Sequence, residues 1–227
     1  MKNRRQVVYG IAALLILVGI AYGIQQWTNP YRGLTLVQDV EMMDEERVYV
    51  ENRIRLTLAA LDAQRGADEA DVDLDLYLSL AWDYSAIGDL VNAREIYEAY
   101  FEFNDINYTA WSNYGTILKK MGDIKNAEAA YLQALQLSPT EANYRNYVLL
   151  LQNYYEDGER DADILATLLA GVTTEGQTPW FMVTLAEYYL KHDDCAKAFD
   201  HYEAAMALAP ENTSIIDDFN AAREVCQ

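Results

Sequence analysis

Basic residues are scarce in this sequence: 17 Lys and Arg stand against 36 Asp and Glu, a formal charge of -19 over 227 residues. No basic stripe exists to displace counterions from a phosphate backbone, which argues against nucleic acid as a partner. Cysteine is scarcer still, with two residues, too few for a disulfide scaffold or a four-thiolate zinc site. Eleven glycines and four prolines exclude collagen-like and linker-like chains. No G-x-S-x-G, no phosphate-cradling glycine loop and no Ser-His-Asp arrangement occurs, so neither enzymatic activity nor a cofactor is expected. Apolar side chains are plentiful at 52%, enough for the core of one domain of moderate size or two small ones.

The one long uncharged run covers residues 7–24, preceded by Lys2, Arg4 and Arg5 and followed by Trp27 and Tyr31. At about 1.5 Å per residue a helix of this length spans roughly 27 Å, near the thickness of a bilayer core, and the flanking aromatics suit its interface. The spacing predicts a basic cytoplasmic tail over 1–6, a transmembrane helix over 7–27 and a linker over 28–36. The positive-inside rule then places everything beyond about residue 29 outside the cytoplasm. A cleaved signal peptide is the competing reading, because Ala21-Tyr22-Gly23 is a tolerable cleavage site; against it, the run exceeds the usual ~7 to 15 residues of a signal core. Gly19 and Gly23 form a G-x-x-x-G pair that admits self-association of two chains through this helix.

Beyond the run the sequence repeats itself. Trp111, Tyr114, Gly115, Leu118, Gly122, Ala127, Tyr131, Ala134 and Pro139 set a pattern, and one unit earlier, at matching positions, stand Tyr77, Leu80, Ala81, Tyr84, Gly88, Ala93, Tyr97 and Tyr100. Met182, Leu185, Ala186, Tyr189, Ala198, Tyr202, Ala205 and Pro210 carry it again. Pro210 follows Pro139 by slightly more than two units, so one longer, degenerate repeat fills the gap, with Leu149 at its helix crossing and Ile164, Leu168 and Gly171 on its second helix. Its extra residues belong in the turn-like stretch Glu156-Asp157-Gly158-Glu159.

This order and spacing resembles the tetratricopeptide family, whose unit of about 34 residues is a pair of antiparallel helices. The resemblance covers residues 74–212, and it implies an all-α solenoid of four helical hairpins behind the transmembrane helix. Within each hairpin a small residue (Ala81, Gly115, Ala186) should meet a ring (Tyr97, Tyr131, Tyr202). Residues 37–73 read as a long N-terminal helix and its connector, with an apolar stripe of Val37, Val40, Met43, Val48, Ile54, Leu58 and Leu61 over 37–64. Residues 213–227 read as a capping helix with Ile216 and Phe219 on its inner face.

In this family a groove lined by the first helix of each repeat receives peptides. Carried over by position, the groove here would use Trp82 from the first repeat and Asn113 and Thr116 from the second. Asn146, Tyr147 and Leu150 would follow from the third, then Trp180 and Glu187 from the fourth. Aromatic rings and amides suit an extended peptide, whereas the Lys, Arg and Asn clamp that some relatives use on a terminal carboxylate is not kept. The resemblance implies a scaffold or adaptor for protein partners in a bacterial envelope or secretion-related complex, anchored in the inner membrane with its C-terminal domain in the periplasm. A holdase for translocated chains and a purely structural subunit of a membrane machine are the alternatives. In such a stack Cys195 begins a helix beside the end of the terminal helix, where Cys226 stands, so a disulfide between them is expected.

Two constellations invite metals. His192, Cys195 and His201 lack a fourth ligand. Asp71, Asp73 and Asp75 alternate like the start of a calcium loop, but Leu76 and Trp82 replace the Gly and Glu such a loop needs, and helix-start acids explain them better. No metal is expected.

Overall fold

The computed structural model describes residues 31–64 and 71–226, and the basic tail and membrane helix read from the sequence lie outside these. Ten helices are described. α1 (Asp44–Ala63) is followed by four hairpins, α2 (Leu74–Ala86) with α3 (Leu90–Phe101), α4 (Tyr108–Met121) with α5 (Ile124–Leu137), α6 (Glu141–Tyr154) with α7 (Asp161–Glu175), and α8 (Pro179–Lys191) with α9 (Cys195–Leu208). α10 (Thr213–Val225) ends the array. Among the described residues no helix is long and apolar enough to cross a membrane.

Local chemistry sets the helix starts. Asp73, Asn107, Thr178, Asp194 and Asn212 each cap a following helix by accepting hydrogen bonds from its first free N–H groups. Asp73 thus caps α2. Asn107 spends both halves of its amide, accepting from Thr109 and Ala110 and donating to the Tyr100 hydroxyl at 2.8 Å.

The pairing of small residue and ring holds the hairpins closed. Within the second hairpin a Cβ on Gly115 would stand 2.8 Å from the Tyr131 ring, and the same pairing joins the third hairpin to the fourth, where a Cβ on Gly171 would stand only 2.3 Å from Phe181. In the third hairpin the crossing residue is Val148, which is fully buried, and not Leu149, which is 41% exposed. Tyr144, Tyr147, Val148 and Leu151 occupy the places of Trp111, Tyr114, Gly115 and Leu118, each falling one position short of the full repeat spacing. The cause is a tight turn before α6, where the Asn143 amide donates to Ser138 O at 2.7 Å and to Ala134 O at 3.4 Å.

The extra residues of that hairpin form the loop at residues 155–160, stapled to α5 by one carboxylate. Glu128 accepts two hydrogen bonds from the Arg160 guanidinium, at 2.7 and 3.1 Å, one from Tyr147 at 3.3 Å and one from Tyr155. Arg160 above all, then the two hydroxyls, holds the Glu128 carboxyl below its ordinary range near 4.5. A lowered carboxylate pKa stabilises the fold above the unfolded value and loses that contribution as pH falls through the folded value. Glu128→Gln should therefore be less stable than wild type at pH 7, and the gap should close as urea denaturation is repeated from pH 5 down to pH 3. A gap independent of pH would show that the carboxylate is not the staple.

The N-terminal part departs from the expected long helix. Residues 37–43 are not helical: Val37 forms an antiparallel bridge with Asp89, Met43 is extended, and α1 starts only at Asp44. Residues 34–41 form a strap across the ends of the first two hairpins: Thr35 donates to Met121 O at 2.8 Å, Gln38 to Gly88 O at 2.9 Å, and Leu90 donates to Leu36 O at 3.1 Å. Gly88 makes this approach feasible, with φ +82° and a site for Cβ only 2.0 Å from Gln38 O. α1 then packs on α2, burying Ile54 and setting Arg53 at 3.0 Å from Asp83. Burial pushes the Asp83 carboxyl up, and Arg53 opposes the shift. Val48 and Leu58 of the expected stripe face solvent instead.

At the other end Ile215, not Ile216, is buried, one residue from expectation, and Phe219 packs on Phe199 and Tyr202 at 5.6 and 6.1 Å between ring centres. Cys195 and Cys226 are joined as a disulfide with their Cα atoms 6.0 Å apart.

Candidate functional site

The strap forms one wall of a cleft of about 560 Å³. Opposite it stand Trp82, Ser85 and Ala86 of α2, then Asn113, Thr116, Ile117 and Lys120 of α4, with Tyr97 of α3 behind them. Trp82 is 64% exposed, whereas Tyr97, Tyr131, Phe181 and Tyr202 are all core. Its place follows from helix geometry: Ala81 must be the small residue against α3, so Trp82, about 100° further round the helix, is turned out of the hairpin.

The polar lining is held in position from behind. Thr116 donates to Ser112 O at 3.2 Å and shares a hydrogen bond of 3.0 Å with the Tyr131 hydroxyl. Burial pushes the ionisation of the Tyr97 hydroxyl up to about 12, with Asn113 opposing the shift, so this phenol stays neutral at physiological pH. Asp39 and Glu41 stand on the strap side, and Lys120 on the α4 side. Such a site combines an indole face, an amide, a fixed hydroxyl group and a rim of both charges.

Of the eight residues expected in the groove, Trp82, Asn113 and Thr116 share this cleft. Asn146 lies further along, its amide donating to the Ser112 hydroxyl at 2.9 Å, and so ties α6 to α4. Tyr147 and Leu150 are corrected: at 6% and 1% exposure they belong to the core, because the shifted register of α6 turns them inward. Trp180 is half-buried, with Arg145 5.0 Å from its ring centre and Phe181 beside it. Glu187 is exposed at the edge of a smaller cleft of about 250 Å³ whose other groups include the ion-paired Asp161 and Lys191. The histidines and Cys195 are dispersed: Cys195 is in the disulfide, His192 sits 2.8 Å from Asp161, and His201 stacks on Tyr189.

Sequence reasoning missed the strap and Lys120. The signal for the strap was the alternation of Leu34 and Leu36 with β-branched Thr35 and Val37, which reads as period two.

Residues 108–141, α4 to the first residue of α6, match the tetratricopeptide repeat family. That hairpin is a tetratricopeptide repeat, and the other hairpins share its two-helix form. Solved structures share its fold at low identity. A structure of MamA aligns at 16% identity over 77% of this chain and 99% of its own, with a TM-score of 0.59. YrrB, described as a tetratricopeptide protein with an unusual peptide-binding site, aligns at 15% over 77% and 85%, with a TM-score of 0.56. PilF of Pseudomonas aeruginosa aligns at 18% over 80% and 89%, with a TM-score of 0.52. No curated protein sequence matches this one. At such identities the likeness shows the fold alone.

Proposed function

We propose that this tetratricopeptide chain is a membrane-anchored adaptor that holds an extended segment of a partner protein in the cleft between the strap, α2 and α4. The exposure of Trp82 in that cleft carries the reading, since an indole held in water beside polar groups is the usual anchor of a protein interface. The peptide-binding site described for YrrB, on the same fold, supports it. Residues 7–27 hold the array at a bacterial inner membrane, and the array works on the periplasmic side. The Cys195–Cys226 bond supports that side, because disulfides persist in oxidising compartments.

One observation favours a second reading as a fixed structural subunit. α1 exposes Val48, Tyr49 and Leu56, an apolar face that a neighbouring subunit could cover. Extraction from native membranes, followed by mass spectrometry of co-purifying proteins, separates the two. Trp82→Ala should reduce the captured partner by at least about tenfold while stability stays within about 0.5 kcal/mol of wild type. An unchanged partner set would favour the subunit.

A further inference from the structure

The strap has one edge paired and one edge open. Leu36 and Gln38 turn their main-chain groups toward the α2–α3 turn, where they pair with Leu90 and Gly88, and Val37 forms an antiparallel bridge with Asp89. In extended chain these groups alternate from side to side. Asp39 therefore directs its N–H and C=O away from Gly88, and neither is hydrogen-bonded to a described residue. The N–H of Glu41 is unpaired in the same way. Both residues are exposed and line the cleft that Trp82 faces. The strap crosses from the end of α4 to the start of α3, so a segment paired with it would run across α2 and α4.

We propose that the strap recruits its partner by strand addition: an extended segment that alternates apolar and basic residues pairs its main chain with the open edge at residues 38–41. This rests on the reading of the cleft as a protein-binding site and specifies what it binds. The apolar side chains of the segment lie on Trp82 and Ala86, and its basic side chains meet the carboxylates of Asp39 and Glu41. Two observations select basic over acidic: these paired carboxylates on the strap itself, and a whole-chain charge of -19 that attracts cations and repels anions. Lys120, the one cation among the described residues that line the cleft, is on the α4 side, away from the paired edge.

The test uses the full chain in detergent micelles and two labelled peptides, Ac-TVKVKVT-NH2 and Ac-TVEVEVT-NH2, with binding read by fluorescence anisotropy. The lysine peptide should bind, and the glutamate peptide should bind at least about tenfold more weakly. Asp39→Pro removes an N–H that the described fold does not use, so it should weaken the lysine peptide at least about tenfold with melting unchanged, and by more than Asp39→Ala does. Should the proline variant melt early, hydrogen exchange of the wild type decides: the amides of Asp39 and Glu41 must become protected when the lysine peptide is added. No binding of that peptide at about 1 mM, equal binding of both peptides, or no protection of those amides overturns strand addition. Weakening by Trp82→Ala without weakening by Asp39→Pro overturns strand addition and leaves the cleft as a binding site; indifference to both variants overturns both readings.

Discussion

Phe181→Ala is expected to destabilise the array by about 3 to 5 kcal/mol, the range for deleting a fully buried ring, and to reverse the effect of a second substitution at Gly171. Phe181 has no exposed surface and packs edge-on against Tyr144, with ring centres 5.7 Å apart. A methyl on Gly171 would meet two of its ring carbons at 2.3 and 2.4 Å, so the ring cannot stay where it is. Gly171→Ala alone should thus cost about 1 to 3 kcal/mol from overpacking, less the ~1 kcal/mol that alanine gains over glycine in a helix. In the Phe181→Ala background the overpacking vanishes and the helix term remains, so the same change becomes stabilising by up to ~1 kcal/mol. Urea denaturation of the four proteins gives the coupling. Equal effects of Gly171→Ala in both backgrounds would show that close approach of α7 to Phe181 is not why glycine stands there.

That contact illustrates which features could be read in advance. The hairpins were legible because their determinants are close in sequence: Gly115 and Tyr131 stand on consecutive helices of one hairpin, and the glycine has no alternative use in mid-helix. The register of α6 was harder to read, since Tyr147, Val148 and Leu149 are all apolar and period alone cannot choose among them. The choice falls to the Asn143 amide, which reaches from the first turn of α6 back to Ser138. The strap was misread as helix for a related reason. Val37, Val40 and Met43 stand three residues apart, the spacing of a helix face, and the hydrogen bonds that draw residues 35, 36 and 38 into the strap come from Met121, Leu90 and Gly88, about 50 to 85 residues away. The helical side of the cleft follows from faces that the repeat defines, among them Trp82, Asn113 and Thr116; the other wall arrives with the strap. The open strand edge therefore exists only where a local pattern meets a distant turn.

Cys226→Ser, or reduction of the wild type, should lower stability by about 3 to 4 kcal/mol, the chain-entropy estimate for a cross-link closing a loop of this size. The bond joins residues 31 apart and fastens the end of α10 to the start of α9. α10 needs that fastening because its own contribution to the core is small: Ile215 and Ala222 are its buried residues, with Phe219 partly covered against Phe199 and Tyr202. In a linear array each helix is stabilised mainly by its neighbours, and the last has a neighbour on one side only. Opening the bond should accordingly release α10 first, uncovering Tyr202 and Phe199, and α8 and α9 should lose hydrogen-exchange protection while α2 to α4 keep theirs. Dithiothreitol must lower the melting temperature of the wild type and leave that of Cys226→Ser where it is. A wild type indifferent to dithiothreitol would show that the bond contributes nothing to the array. If both cysteines in unreduced protein from native membranes are alkylated, the bond does not form in the cell, and the periplasmic placement loses its support.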